Sequence, residues 1–155
     1  MVTLIGTYEG KADAKGRLLL SSPLKKQLAA VLQDGFVLKR SVFQPCLELI
    51  PMVEWAKIME KMSGLNKFNK KNADFIRLFS AGVKMIEMDA SGRILIPKDL
   101  QAVAGISKNV VLAAQFDKIE IWDKEKYEST IASAADDFAA MAEEVMGNKN
   151  GDGVS

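Results

Sequence analysis

Histidine is absent from the 155 residues, and cysteine occurs once. Without histidine, Ser-His-Asp and Cys-His catalysis are excluded, and the commonest zinc ligand is missing. A lone thiol cannot form a disulfide within the chain. Cys46 stands in the apolar stretch Cys46-Leu47-Glu48-Leu49-Ile50, where an inert buried thiol is expected. No apolar run approaches the roughly 18 residues needed to span a bilayer. Stretches such as Val110-Val111-Leu112-Ala113-Ala114 have the length of strands instead. The start, Met1-Val2-Thr3-Leu4, carries no basic segment followed by a long apolar core, so no signal peptide is read and a cytoplasmic protein is expected. There is no P-loop and no metal-ligand cluster. Only Asp, Glu and Lys chemistry remains, and no grouping of these residues suggests it. The expectation is a protein that is not an enzyme, with no cofactor, no metal, no small-molecule substrate and no membrane partner.

Net charge is also scarce, at +1. Its distribution is more informative than its sum. Lys11, Lys15, Arg17, Lys25 and Lys26 fall within 16 residues that hold one acid, Asp13. Lys67, Lys70, Lys71 and Arg77 accompany Asp74. Acids gather late, at Asp136, Asp137, Glu143 and Glu144. A locally basic face is consistent with a nucleic-acid partner.

The chain repeats itself. Asp13-Ala14-Lys15-Gly16-Arg17-Leu18-Leu19-Leu20 recurs 76 residues later as Asp89-Ala90-Ser91-Gly92-Arg93-Ile94-Leu95-Ile96. Gly6 and Leu24 find Gly82 and Leu100 at the same spacing, and Leu47-Glu48-Leu49 returns as Ile119-Glu120-Ile121 at a spacing of 72. The shrinking offset gives the first copy slightly longer loops. A repeat of this kind indicates a duplicated supersecondary unit whose copies share a core.

Each copy reads as strand, glycine turn, strand, short helix and a second strand pair. In the first copy the strands fall near 5–10, 17–20, 36–40 and 46–50, with a helix from about Pro23 to Leu32. In the second they are Met85–Met88, Ile94–Ile96, Val110–Ala114 and Lys118–Trp122. Its helix runs from Lys98 to Val103, opened by Pro97 and ended by Gly105. Asp123 is placed to cap a following helix. Two further helices, separated by Ser63-Gly64, connect the copies. Tyr127, Ile131, Ala134, Ala135, Phe138, Met141 and Val145 follow helical spacing, which favours a helix packed on the core. Residues 147–155 read as a flexible tail.

The paired Asp-x-x-Gly-Arg unit carries the most chemistry. A tight turn would let Asp13 hold Arg17, and Asp89 hold Arg93, through charge-assisted hydrogen bonds. Arginine is the side chain best shaped for two-pronged contact with guanine or phosphate. Gly16 and Gly92 permit a positive φ in the turn. The same pattern also suits a turn-stabilising ion pair that touches no ligand, and duplication would copy such a turn just as well.

Asp13-Ala14-Lys15-Gly16-Arg17-Leu18 and Asp89-Ala90-Ser91-Gly92-Arg93-Ile94-Leu95-Ile96-Pro97 resemble the two Asp-x-x-x-Arg motifs of the MraZ family. Ala73 to Gly82, Phe36 to Arg40, Leu47 to Pro51 with Trp55, and Ile119 to Asp123 fit the same family in order and spacing. The resemblance covers roughly residues 4 to 130. It implies an α+β fold of two tandem AbrB-like (SpoVT/AbrB) β-rich modules in a pseudo-two-fold arrangement. Such modules are swapped-hairpin, double-psi-like half-barrels, joined here by connecting helices and followed by a C-terminal helix. The modules would occupy 1–80 and 81–130, the C-terminal helix 131–146 and the tail 147–155.

The resemblance further implies a cytoplasmic, nucleoid-associated transcriptional regulator, typically a repressor, acting at the division and cell-wall gene cluster that includes its own operon. Its partners would be double-stranded DNA carrying short tandem promoter repeats and other copies of itself, in a ring of eight or twelve. Arg17, Arg93, Asp13 and Asp89 would line the DNA-facing surface, with Lys15 at a basic position of the first motif. The chain departs from the family at Leu20-Ser21, where Ile-Pro is usual, so Ser21 or Ser22 is expected to open the first helix. Ser91 stands where the first motif has Lys15, which predicts unequal DNA contacts from the two copies. The alternatives are an AbrB-like antitoxin that binds a toxin, and a structural ring without DNA affinity.

Overall fold

The computed structural model describes residues 3–147, so residues 148–155 of the expected tail lie outside the described residues. Residues as far as Lys124 form one compact unit, and those from Glu125 a second, helical one. The first unit is α+β. Its strands are β1 (Thr7–Lys11), β2 (Arg17–Leu19), β3 (Phe36–Arg40), β4 (Leu47–Pro51), β5 (Lys84–Ile86), β6 (Arg93–Leu95), β7 (Asn109–Gln115) and β8 (Lys118–Asp123). Six of them form an open antiparallel sheet in the order β1-β7-β8-β4-β3-β5, while β2 and β6 form a separate two-stranded ribbon. The strands do not close into a barrel.

The registers express the repeat. In the ribbon, Leu18 faces its own repeat-equivalent Ile94. In the sheet, Glu48 faces its equivalent Glu120. Self-paired equivalents place a pseudo-two-fold axis between them. The remaining pairings obey the same symmetry, since β1 pairs with β7 while its equivalent β5 pairs with β3. Each repeat therefore lends its first strand to the sheet of the other.

Alternation along the strands sorts the side chains onto two faces. Phe36, Leu38, Leu47, Leu49, Val110, Leu112, Ile119 and Ile121 point into one core with Leu18 and Ile94 of the ribbon. Leu24 and Leu28 of α1 (Ser22–Leu28) join that core, as do Leu100 and Ala104 of α4 (Lys98–Ala104). The other sheet face meets α2 (Met52–Ser63) and α3 (Lys70–Ser80), where Phe79 stacks on Trp55 at 6.0 Å and lies under the Lys39 ammonium at 4.4 Å.

Gly105 ends α4 in the left-handed conformation, as expected, at φ 63°. The first helix is shorter than the sequence suggests. It stops at Leu28 and tightens to a 3₁₀ turn over Ala29–Asp34. Three residues per turn set Leu28 and Val31 on one line, and both are buried.

Ser21 occupies the position before α1, with φ −64° and ψ 152°, but its side chain makes no cap hydrogen bond. Its Oγ is buried without a hydrogen-bond partner among the described residues. The equivalent Pro97 has nearly the same backbone, φ −58° and ψ 150°. Ser21→Pro should therefore fit without strain and remove an unsatisfied hydroxyl. Chain stiffening contributes about 0.4–1 kcal/mol, and relief of the buried oxygen contributes up to about 1–3 kcal/mol more. Urea denaturation is expected to show a higher midpoint with an unchanged slope. A lower midpoint would refute this account of Ser21.

The second unit contains most of α5 (Lys124–Ala134), a 3₁₀ turn at Ala135–Asp137, α6 (Phe138–Ala142) and a π turn at Glu143–Gly147. The single helix expected from Tyr127 to Val145 is instead broken after Ala134. Ile131, Phe138, Met141 and Val145 are exposed. The switch from 3.6 to 3.0 residues per turn rotates Phe138, Met141 and Val145, which follow it, off the line that an unbroken α-helix would keep.

Candidate nucleic-acid interface

The two Asp-x-x-Gly-Arg turns have one design. Asp13 Oδ1 accepts from the backbone N–H of Lys15 and of Arg17, each at 2.9 Å, and Oδ2 accepts from Arg17 Nε at 2.7 Å. Asp89 Oδ1 accepts from the backbone N–H of Ser91 and of Arg93 at 2.9 Å, and Oδ2 from Arg93 Nε at 3.3 Å. The carboxylate thus organises the turn backbone first and the arginine second. The Arg17 backbone N–H, working against desolvation and seconded by the Arg17 guanidinium and the Lys15 N–H, holds the Asp13 carboxyl below its ordinary value. The Arg93 backbone N–H, helped by the Ser91 N–H and the Arg93 charge, does the same for Asp89. A depressed carboxyl stabilises the fold above the ordinary Asp range, and that contribution is lost only as pH falls through the lowered value.

The ribbon brings the motifs together. Opposed residues share a face, so Arg17 beside Leu95 and Leu19 beside Arg93 form one outward surface, while Leu18 and Ile94 fill the core beneath. Arg17 and Arg93 lie on a diagonal of this surface, about 7–8 Å apart by strand geometry. Each arginine uses Nε on its aspartate, which leaves the Nη hydrogens for a ligand. The Arg17 and Arg93 side chains are 42% and 39% exposed, enough for a ligand to reach them.

The turns are also braced across the axis. Leu20 N donates to Gly92 O at 3.0 Å, and Ile96 N donates to Gly16 O at 2.9 Å. Each glycine is roofed by a helix residue from the other repeat. Gln101 covers Gly16 and donates to Ile96 O at 2.6 Å. Its equivalent Lys25 covers Gly92. Lys15 is exposed on the first turn, where Ser91 occupies the second. Lys25 thereby places beside the second turn the cation that Ser91 does not supply.

Both glycines have positive φ, 87° at Gly16 and 84° at Gly92. A left-handed alanine costs about 1–2 kcal/mol at either site. At Gly16 the added Cβ would also crowd Gln101 and stand 2.6 Å from the backbone oxygen of Ile96. At Gly92 it would meet the flexible Lys25 stem, which can move. Gly16→Ala is therefore expected to lower unfolding free energy more than Gly92→Ala, and equal losses by denaturant titration would contradict the crowding argument.

The structure gathers Asp13, Lys15, Arg17, Asp89 and Arg93 at this ribbon. The other basic run does not join them. It belongs to α3 and the loop before it, and α3 packs through Phe79 on the opposite sheet face. There Lys70 and Arg77 both bind Asp74, at 2.7 and 3.1 Å. Sequence reasoning missed Leu19 and Leu95 as members of the surface, and it placed Lys25 in the basic cluster without locating it beside Gly92. The signal for the leucines was their place two residues after each arginine, on the same side of a strand. Among the described residues no group of three His, Cys, Asp or Glu side chains is placed to hold a metal ion. Among them, no helix is long and apolar enough to cross a membrane.

Comparison with known proteins agrees with the duplicated architecture. The family model described as "MraZ protein, putative antitoxin-like" matches twice, over residues 3–78 and 79–149. A protein of Christiangramia forsetii named transcriptional regulator MraZ is 63% identical over 155 residues, covering 100% of both chains. One of Flavobacterium psychrophilum with the same name is 60% identical over 152 residues, 98% of this chain and 97% of the relative. A more distant relative so named, from Bacteroides thetaiotaomicron, is 36% identical over 151 residues, 97% of this chain and 96% of its own.

Proposed function

The chain belongs to the MraZ family, and from that premise we propose that it is a DNA-binding transcriptional regulator that reads its operator with the β2–β6 ribbon. Arg17 and Arg93 contact base edges or phosphates. Asp13 and Asp89 fix their turns, and Lys15 adds a phosphate contact. The regulator acts in the cytoplasm on the nucleoid. It represses the division and cell-wall gene cluster containing its own gene. Several copies in a ring of eight or twelve engage tandem repeats at once, which raises avidity by about 10²–10⁴ without any new contact. A nearly neutral chain can bind DNA tightly in this way.

One observation carries the reading: two arginines from distant segments are held by aspartates on the same outward face of one ribbon. A two-stranded ribbon has the width that the DNA major groove admits. The test is fluorescence anisotropy of the protein with the DNA upstream of its gene and with a scrambled duplex, at several salt concentrations. Tight binding to the first alone, weakening steeply with salt, is the expected result. Equal affinity for both duplexes in an assembled sample would defeat the proposal.

A further inference from the structure

The arginines occupy one diagonal of the ribbon's outer surface, and leucines occupy the other. Leu19 and Leu95 are each 52% exposed, although the residues between them and the arginines, Leu18 and Ile94, are fully buried. Isolated exposed leucines are ordinary. These two are symmetry equivalents that complete a four-residue checkerboard with the guanidiniums. The leucine diagonal spans about 7–8 Å, close to two base-pair steps of about 3.4 Å each.

We infer that Leu19 and Leu95 are base-reading residues that rest on the C5-methyl groups of thymines while Arg17 and Arg93 engage neighbouring polar edges. The inference rests on the DNA-binding reading above. The thymine methyl is the apolar feature that a base pair presents in the major groove, and apolar side chains recognise it there. Each leucine lies directly across the ribbon from an arginine, Leu95 from Arg17 and Leu19 from Arg93. A ribbon seated deeply enough for the arginines to reach base edges therefore brings both leucines to the same depth. Burial of a half-exposed leucine against a methyl group then adds affinity that depends on sequence but not on salt, unlike the phosphate contacts.

Replacing every thymine of the upstream DNA by uracil removes the methyl groups and leaves every hydrogen-bonding group in place. The wild-type protein should bind the uracil duplex more weakly, by about fourfold for each methyl group that a leucine covers in the thymine duplex. The variant carrying Leu19→Ala and Leu95→Ala should bind thymine DNA as weakly as the wild type binds uracil DNA, and should not distinguish the two. Its unfolding midpoint and assembly size serve as controls, and the exposure of both side chains predicts little change in either. Equal wild-type affinity for the two duplexes would overturn the inference while leaving the DNA-binding reading intact. So would a leucine variant that keeps the full thymine preference, since the methyl effect would then act through DNA shape. Failure to bind the thymine duplex at all would overturn both.

Discussion

The double variant Arg17→Ala with Arg93→Ala will fold and assemble as the wild type does but lose operator binding by at least about 30-fold, the low end of two contacts worth about 1–3 kcal/mol each. Engagement of several copies on tandem repeats multiplies that loss. Stability should change little, because both ion pairs are partly exposed and such pairs contribute about 0–1 kcal/mol. The aspartates should behave differently. Asp13 Oδ1 satisfies two backbone N–H groups, so Asp13→Ala should loosen the turn and lower both stability and binding. Lys15→Ala should weaken binding to all DNA alike and reduce the salt slope by about 1. Anisotropy titrations beside denaturation curves separate the three cases. An arginine double variant that binds its operator within threefold of the wild type would refute the assignment of this surface.

The repeat and the order of elements were legible in the sequence because both depend on local signals. Glycine turns, Pro97 and Gly105 mark ends, and alternation marks strands. Strand partners were not legible, since β1 with β7 and β2 with β6 are pairings between distant segments that only the assembled core selects. Yet symmetry leaves few choices: a segment related to its copy by a two-fold axis can pair with that copy in a self-complementary register, as Leu18 with Ile94 does. The place of Lys25 beside Gly92 follows from that exchange and from nothing near Lys25 in the chain. Cys46 was read as buried, and it is; burial, with the charges of Glu120 and Glu48, pushes its thiol up to about 12.

The second axis pair was legible in the sequence as a repeat but not as a contact. Glu48 and Glu120 face each other across β4 and β8, where like charges directly opposed are destabilising. The repeat resolves this by breaking its own symmetry. By register, Lys39 opposite Glu48 stands where the other copy has Ala113 opposite Glu120, and Lys118 stands where the first has Cys46. Lys118 Nζ binds Glu48 Oε2 at 2.8 Å, and Lys39 Nζ lies 3.9 Å from Oε1 while donating to Arg40 O at 2.6 Å. Glu120 accepts from Trp122 Nε1 at 3.0 Å. Burial lowers the Lys39 pKa, opposed by Glu48 and reinforced by Lys118 and Arg40. Burial works the same way on Lys118, but its bond to Glu48 and the charges of Glu48, Glu120 and Asp117 outweigh it and raise its pKa.

Glu48→Ala should consequently cost about 3–5 kcal/mol of unfolding free energy, because it leaves the Lys39 ammonium buried without its counter-charge. Lys39 is 1% exposed and cannot turn to water in place. The pH dependence follows from the sign of the shift. A lysine whose folded pKa lies below its unfolded value of 10.5 binds more protons when unfolded, so stability rises with pH through the interval between the two values. Loss of Glu48 lowers the folded value further and widens that interval downward, so Glu48→Ala should gain stability with rising pH more steeply than the wild type. The double variant Lys39→Met with Glu48→Leu should recover most of the loss at neutral pH, since an apolar pair of similar size removes both charges together. A cost below about 1 kcal/mol for Glu48→Ala, or a double variant no more stable than the single, would mean that Lys39 finds its compensation in Arg40 O and the Phe79 ring alone.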